Sequence, residues 1–123
     1  MCSSDLDVTK KSVPKMTLLS PPQAGGTIMT RSFIPHRVHE AIGVLGAISV
    51  ATGCRLEGSV AAMIAGPATH HEQLMIEHPT GFFAVELHMT DTGHGFAIER
   101  AALIRTARKL MKGEVYIKSG VWT

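Results

Sequence analysis

Four ionisable side chains fall within five positions at His36, Arg37, His39 and Glu40, directly after Pro35. An imidazole gives or takes a proton near neutral pH. A guanidinium offers a planar fork that matches a carboxylate or phosphate. Grouped in one turn, such residues suit the binding of an organic anion. They equally suit an ordinary polar helix start at a surface, and the local residues leave both readings open.

Other combinations are weaker. His36-x-x-His39 with His70, His71 and Cys54 has some metal-binding types, but no zinc spacing completes the set. Cys54 lies at the far end of the same stretch and reads as a small buried hydrophobe. His70, His71 and His94 read as loop histidines facing water. Arg100, Arg105 and Arg108 fit either solvent or a site. No nucleophile elbow and no phosphate-binding glycine loop occurs.

The element that would position the polar group is the helix predicted over Pro35 to Gly53. Pro suits a first helical position, and Gly53 suits the end. From Ala41 to Cys54 there is no charge, and apolar residues leave almost no polar stripe. Such a helix is expected to be buried. Its uncharged run is too short to cross a bilayer of ~30 Å. A helix N-terminus carries unpaired N–H groups and partial positive charge, so it attracts anions. Gly43, Gly46 and Ser49 form a row of small residues, where sheath strands are expected to pack.

Around this helix the pattern predicts strands. Met16–Leu19 is a short apolar run stopped by Ser20-Pro21-Pro22. Thr27–Ile34 is β-branched and aromatic, with Ile28, Thr30, Ser32 and Ile34 on one face. Ser59 is placed to cap a short helix over Val60–Ala65. Gln73–His78 and Phe82–Met89 read as a hairpin around Pro79-Thr80-Gly81. Ile98–Met111 fits helical spacing by periodicity, yet leads into Val115-Tyr116-Ile117, a strand signature.

The chain has 123 residues, 45% hydrophobic and 18% charged, with formal net charge +2. That is one domain or part of one. The lysines do not cluster and aromatics are few, which argues against nucleic acid as partner. Two cysteines suggest a reducing compartment. The head MCSSDLDVTKK has no apolar core segment of a secretory signal. The expectation is a soluble cytoplasmic protein without a membrane span.

Four blocks then converge: VPKMTLLSPP at 13–22, TRSFIPHRVHEAIGVLGAISVATG at 30–53, IEHPTGFFAVEL at 76–87 and LIRTARKLMKGEVYI at 103–117. Together they resemble the C-terminal half of the PrpF-like isomerases, the 4-oxalomesaconate tautomerase and 2-methylaconitate cis–trans isomerase group. The resemblance covers about residues 7–119, leaving 1–6 as a non-family head and 120–123 as a tail. It implies an α+β, diaminopimelate-epimerase-like domain: a curved, mostly antiparallel sheet around one buried central helix, plus a short second helix. It implies proton transfer on an unsaturated di- or tricarboxylate, with no cofactor and no metal. It places His36, Arg37 and His39 at the helix tip as substrate-binding residues, with Thr30 and Ser32 as wall residues. It also implies strand, not helix, after Ile98.

A full family member is about three times this length, and the family's catalytic lysine and cysteine lie in the other half. Nothing here matches them, and neither Lys15 nor Cys54 takes their place. The expectation is therefore a truncated reading frame: half of an isomerase, inactive alone, that needs a missing N-terminal domain. The alternative is a non-catalytic binding or assembly module that pairs with a separate N-terminal domain. Self-association into a homo-oligomer is a further expectation, because the inter-domain face would be bare. A two-thiol racemase is disfavoured, because the helix tip offers Pro35 and His36 where a cysteine would be needed.

Overall fold

A computed structural model describes residues 10–11, 13, 15–34, 36–66, 72–93 and 95–121. Alternating apolar residues set five strands: β1 (Met16–Ser20), β2 (Ile28–Phe33), β3 (Gln73–His78), β4 (Gly81–Asp91) and β5 (Phe96–Ile104). They form one sheet in the order β1-β2-β3-β4-β5. All neighbours are antiparallel except β2 and β3, which run parallel through Ile28↔Ile76 and Met29↔Glu77. Parallel neighbours need a crossover. Here it is made of helices α1 (Val44–Arg55) and α2 (Val60–Ala65), which connect β2 to β3 in the chain. The α+β architecture and the short second helix are as expected.

The core lies between α1 and one sheet face. Ala47, Val50, Ala51 and Cys54 of α1 are buried with Ile28, Leu74, Ile76, Val85 and Leu87 of the strands. The small α1 residues let the helix settle close to the sheet. The opposite side of α1 is open: Leu45 is 81% exposed. At Gly53 a Cβ would stand 3.2 Å from the Ala61 Cβ, so α2 crosses there. Ser59 ties the two helices together. Its hydroxyl donates to the Gly53 carbonyl at 2.5 Å and accepts the Ala62 N–H at 3.0 Å. Gly46 and Ser49 are not covered by a strand. With Thr17 and Leu19 of β1 they line an open groove of about 290 Å³.

Helix α1 begins at Val44, not at Pro35. Pro35 itself lies outside the described residues. After β2 the chain doubles back: Ile34 N–H donates to the Arg37 carbonyl at 2.8 Å, and His39 N–H to the Ser32 carbonyl at 2.7 Å. Val38 pairs with Phe33 in an antiparallel bridge. These bonds tie the Ile34 and His39 N–H groups into a turn, so helix hydrogen bonding does not start there. Extended Gly43 is the N-cap instead.

Strand β5 ends at Ile104, and residues 105–121 belong to no helix or strand. Strand thus holds over Phe96–Ile104, against the helical periodicity. Among the described residues, no helix is long and apolar enough to cross a membrane.

Candidate functional site at the start of helix α1

The first turn of α1 has backbone N–H groups without intrahelical partners. Gly43 supplies no side-chain cap, and no acidic residue sits in the first turn. Against this end lies a cavity of about 490 Å³, lined by Gly43, Val44, His78, Thr80, Phe83 and Arg105 among others. Among the described residues, no carboxylate lines it. His78 is the last residue of β3, and the tight turn into Gly81 brings Thr80 beside it. The Thr80 N–H donates to His78 Nδ1 at 3.3 Å. A neutral His78 then carries its proton on Nε2, as a donor. The Thr80 hydroxyl donates to the Glu40 carbonyl at 2.8 Å, tying the turn to the segment that enters α1.

Phe83 is buried on the helix side of β4, in the alternation Phe83, Val85, Leu87. The Arg105 guanidinium lies 5.0 Å from the centre of its ring. A cation over an aromatic face is attracted by the ring quadrupole. The cavity therefore presents a guanidinium, an imidazole and uncapped helix N–H groups around an apolar floor. Such a set can hold a carboxylate and stabilise charge that develops on an adjacent oxygen.

The residues picked out by sequence sit elsewhere. His36 and Arg37 are exposed on the turn between β2 and α1, and His39 Nδ1 accepts the Ala41 N–H at 2.9 Å. None of the three is at the helix tip, and none lines this cavity. Thr30 is buried, and its hydroxyl donates to the Glu77 carbonyl at 2.7 Å. The Ser32 hydroxyl shares a hydrogen bond with Thr17 at 2.9 Å. His78, Thr80 and Arg105 escaped the sequence reading as members of one site. The available signal was strand alternation, which puts Arg105 on the same face as Leu103.

Two other charged groups are structural. Glu77 is 2% exposed and accepts N–H groups from Gln23, Ala24 and Gly26 at 2.7, 2.8 and 2.7 Å. Burial pushes its pKa up, but the three N–H donors outweigh this and hold the carboxyl below its usual range. On the outer sheet face, Glu86 bonds His88 at 2.9 Å and Arg100 at 3.0 Å. The His88 bond, then the Arg100 charge, keep Glu86 below the usual carboxylate range despite some desolvation. Burial pushes the Cys54 thiol up to about 11, which makes it a poor nucleophile. Among the described residues, no group of three or more His, Cys, Asp or Glu could hold a metal ion. His70, His71 and His94 lie outside the described residues.

The chain is similar to several known proteins. The chain is 54% identical over 112 residues to a (4E)-oxalomesaconate Δ-isomerase of Novosphingobium sp. strain KA1, covering 90% of this chain and 30% of that protein. It is 51% identical over 117 residues to the 4-oxalomesaconate tautomerase of Pseudomonas putida KT2440, covering 94% and 31%. A putative isomerase of Escherichia coli K12, YbhH, is 41% identical over 111 residues, with 90% and 31% covered. The chain thus spans about three-tenths of the length of the curated relatives it matches. The crystal structure of a methylitaconate Δ-isomerase superposes with a TM-score of 0.60 at 14% identity, over 79% of this chain and 29% of that one. That likeness carries the diaminopimelate-epimerase-like fold alone. The family model described as "PrpF protein" matches residues 3–118. With that match spanning most of its length, the chain belongs to the PrpF family of isomerases.

Proposed function

We propose that this chain supplies the carboxylate-binding half of an active site that isomerises an unsaturated di- or tricarboxylate such as 4-oxalomesaconate. The observation that carries this reading is the cavity at the start of α1, which offers cationic and N–H donors and, among the described residues, no carboxylate. The reaction is a cofactor-independent keto–enol or allylic shift. A base removes a proton from carbon, the charge spreads onto an oxygen, and a proton returns at that oxygen in the keto–enol case or at another carbon in the allylic case. The role of this chain is to hold a substrate carboxylate and to place α1 N–H groups where the negative charge develops. The groups that move the proton come from the part of the relatives that this chain does not cover. His36, Arg37 and His39, on the turn ahead of α1, assist as outer donors toward a polyanion. Thr30 and Ser32 stay outside this cavity, with their hydroxyls bound to the Glu77 carbonyl and to Thr17.

The test is a titration of the folded chain with 4-oxalomesaconate, read on the backbone amides of Val44, Leu45 and Gly46. Saturable shifts there, absent at Leu56–Gly58 and absent with the neutral trimethyl ester, are expected. Flat titration curves at the α1 start refute the reading.

A second reading, an assembly module that docks onto a separate domain, is favoured by the segment after β5. Leu110, Met111, Val115 and Tyr116 are 86–89% exposed although apolar or aromatic. Side chains of this kind serve contact rather than solvation. Size-exclusion with light scattering separates the cases: a complex with the uncovered part of a relative, a homo-oligomer, or a monomer that rejects both. The setting we propose is cytoplasmic, where a reduced, buried Cys54 is stable.

A further inference from the structure

We infer that Arg105 is the specificity-determining residue of the α1 cavity, held by Phe83 so that its guanidinium meets a second carboxylate of the bound acid. This rests on the reading of the cavity as a carboxylate site. The sheet carries two arginines near the β4–β5 pair, and their surroundings are opposite. Arg100 stands across from His88 on the outer face, and its guanidinium is paired with Glu86 at 3.0 Å. Its charge is answered within the protein. Arg105 follows the alternation Leu103, Arg105 on the helix side, one step beyond the last paired residue, Ile104. There it lies over the Phe83 ring and lines a cavity with no acidic residue among the described ones.

The placement fits a role in recognition. Arg105 is exposed and lies just past the end of β5, where its charge sits beside Phe83 and Leu103 on the cavity wall. Phe83 limits the conformations of that charge, because the guanidinium lies over its ring, 5.0 Å from the centre. With fewer rotamers to lose, the fork binds a planar carboxylate at lower entropic cost. The uncapped N–H groups of α1 hold one carboxylate, and Arg105 in the same cavity holds another. A ligand with two or more carboxylates satisfies both, and a monocarboxylate satisfies one.

The experiment uses the full chain and tricarballylate, a saturated tricarboxylate that cannot react. Acetate and the tricarballylate trimethyl ester serve as controls. Binding is read on the amides of Val44, Leu45 and Gly46, with overall amide dispersion as the check on folding. The Arg105→Met variant is expected to bind tricarballylate about tenfold or more weakly, the loss typical of a bidentate charged contact. Acetate binding is expected to change little. Arg105→Lys keeps the charge without fork or stack, and is expected to fall between. Arg100→Met, on the outer face, is expected to match the parent. If Arg105→Met and Arg105→Lys both bind tricarballylate like the parent, Arg105 has no such role while the cavity reading stands. If the parent shows no saturable shift, both fall together.

Discussion

The Glu77 carboxylate accepts the Gly26 N–H at 2.7 Å, and a Cβ at Gly26 would stand 2.5 Å from Glu77 Cγ and 2.8 Å from the Met75 carbonyl oxygen. The loop after β1 is thereby stitched over β3. Thr27 strengthens the seam, donating its N–H to the Met75 carbonyl at 2.7 Å and accepting the Met75 N–H on its hydroxyl at 3.0 Å. Gly26→Ala is expected to destabilise the chain by about 1–3 kcal/mol, the usual range for overpacking. Urea unfolding checks this, with Gly25→Ala as a poor comparison because Gly25 has a positive φ of 86°.

Glu77 makes the same seam sensitive to acid. Its folded pKa lies below the ordinary value, so the ionised form is favoured by folding. The stability it contributes is present above the unfolded carboxylate pKa of about 4.3, and is lost as pH falls through the lower folded value. Glu77→Ala leaves three N–H groups without their acceptor and is expected to cost about 3 kcal/mol at pH 7. Below the folded pKa the gap between parent and variant should narrow. Unfolding midpoints measured from pH 7 down to the acid transition test both statements.

Cys54 is fully buried, and its pKa is pushed up to about 11. Alkylation at pH 8 is therefore expected to spare Cys54 in the folded chain and to reach it readily in denaturant. Peptide mass spectrometry reads the site directly. Rapid modification of Cys54 without denaturant contradicts the packing of α1 on the sheet.

Val115 and Tyr116 are 86% and 89% exposed, so the folded chain has little to lose by changing them. The double variant Val115→Asp, Tyr116→Ser is expected to keep stability within about 0.5 kcal/mol. It is also expected to weaken association, either with the uncovered part of a relative or between copies. Sedimentation velocity of parent and variant decides.

Much of this fold was legible in the residues, for local reasons. The Val60–Ala65 helix announced itself through Ser59, and Ser59 Oγ does accept the Ala62 N–H. The β3–β4 hairpin followed from the period-two pattern of Phe83, Val85 and Leu87, all of which face the core. The start of α1 was not legible. Pro35 and a long apolar run fit a helix, but the chain folds back on itself in the Phe33–Val38 bridge, and helical periodicity carries no sign of that turn. The cavity was hidden for the same reason. Arg105 reaches Phe83 only because β5 pairs with β4 in one register, with a shift between His88 and Met89. Read by periodicity alone, Arg105 belonged to a helix face.

The central claim is that this chain holds the acid while groups outside it move the proton. Its most direct test is turnover of 4-oxalomesaconate, followed by the absorbance change of the keto–enol shift. The assay compares the chain alone, the uncovered part of the Pseudomonas putida relative alone, and the two mixed. No turnover is expected from either piece, and measurable turnover from the mixture, reduced by Arg105→Met. Turnover by the chain alone would contradict the claim.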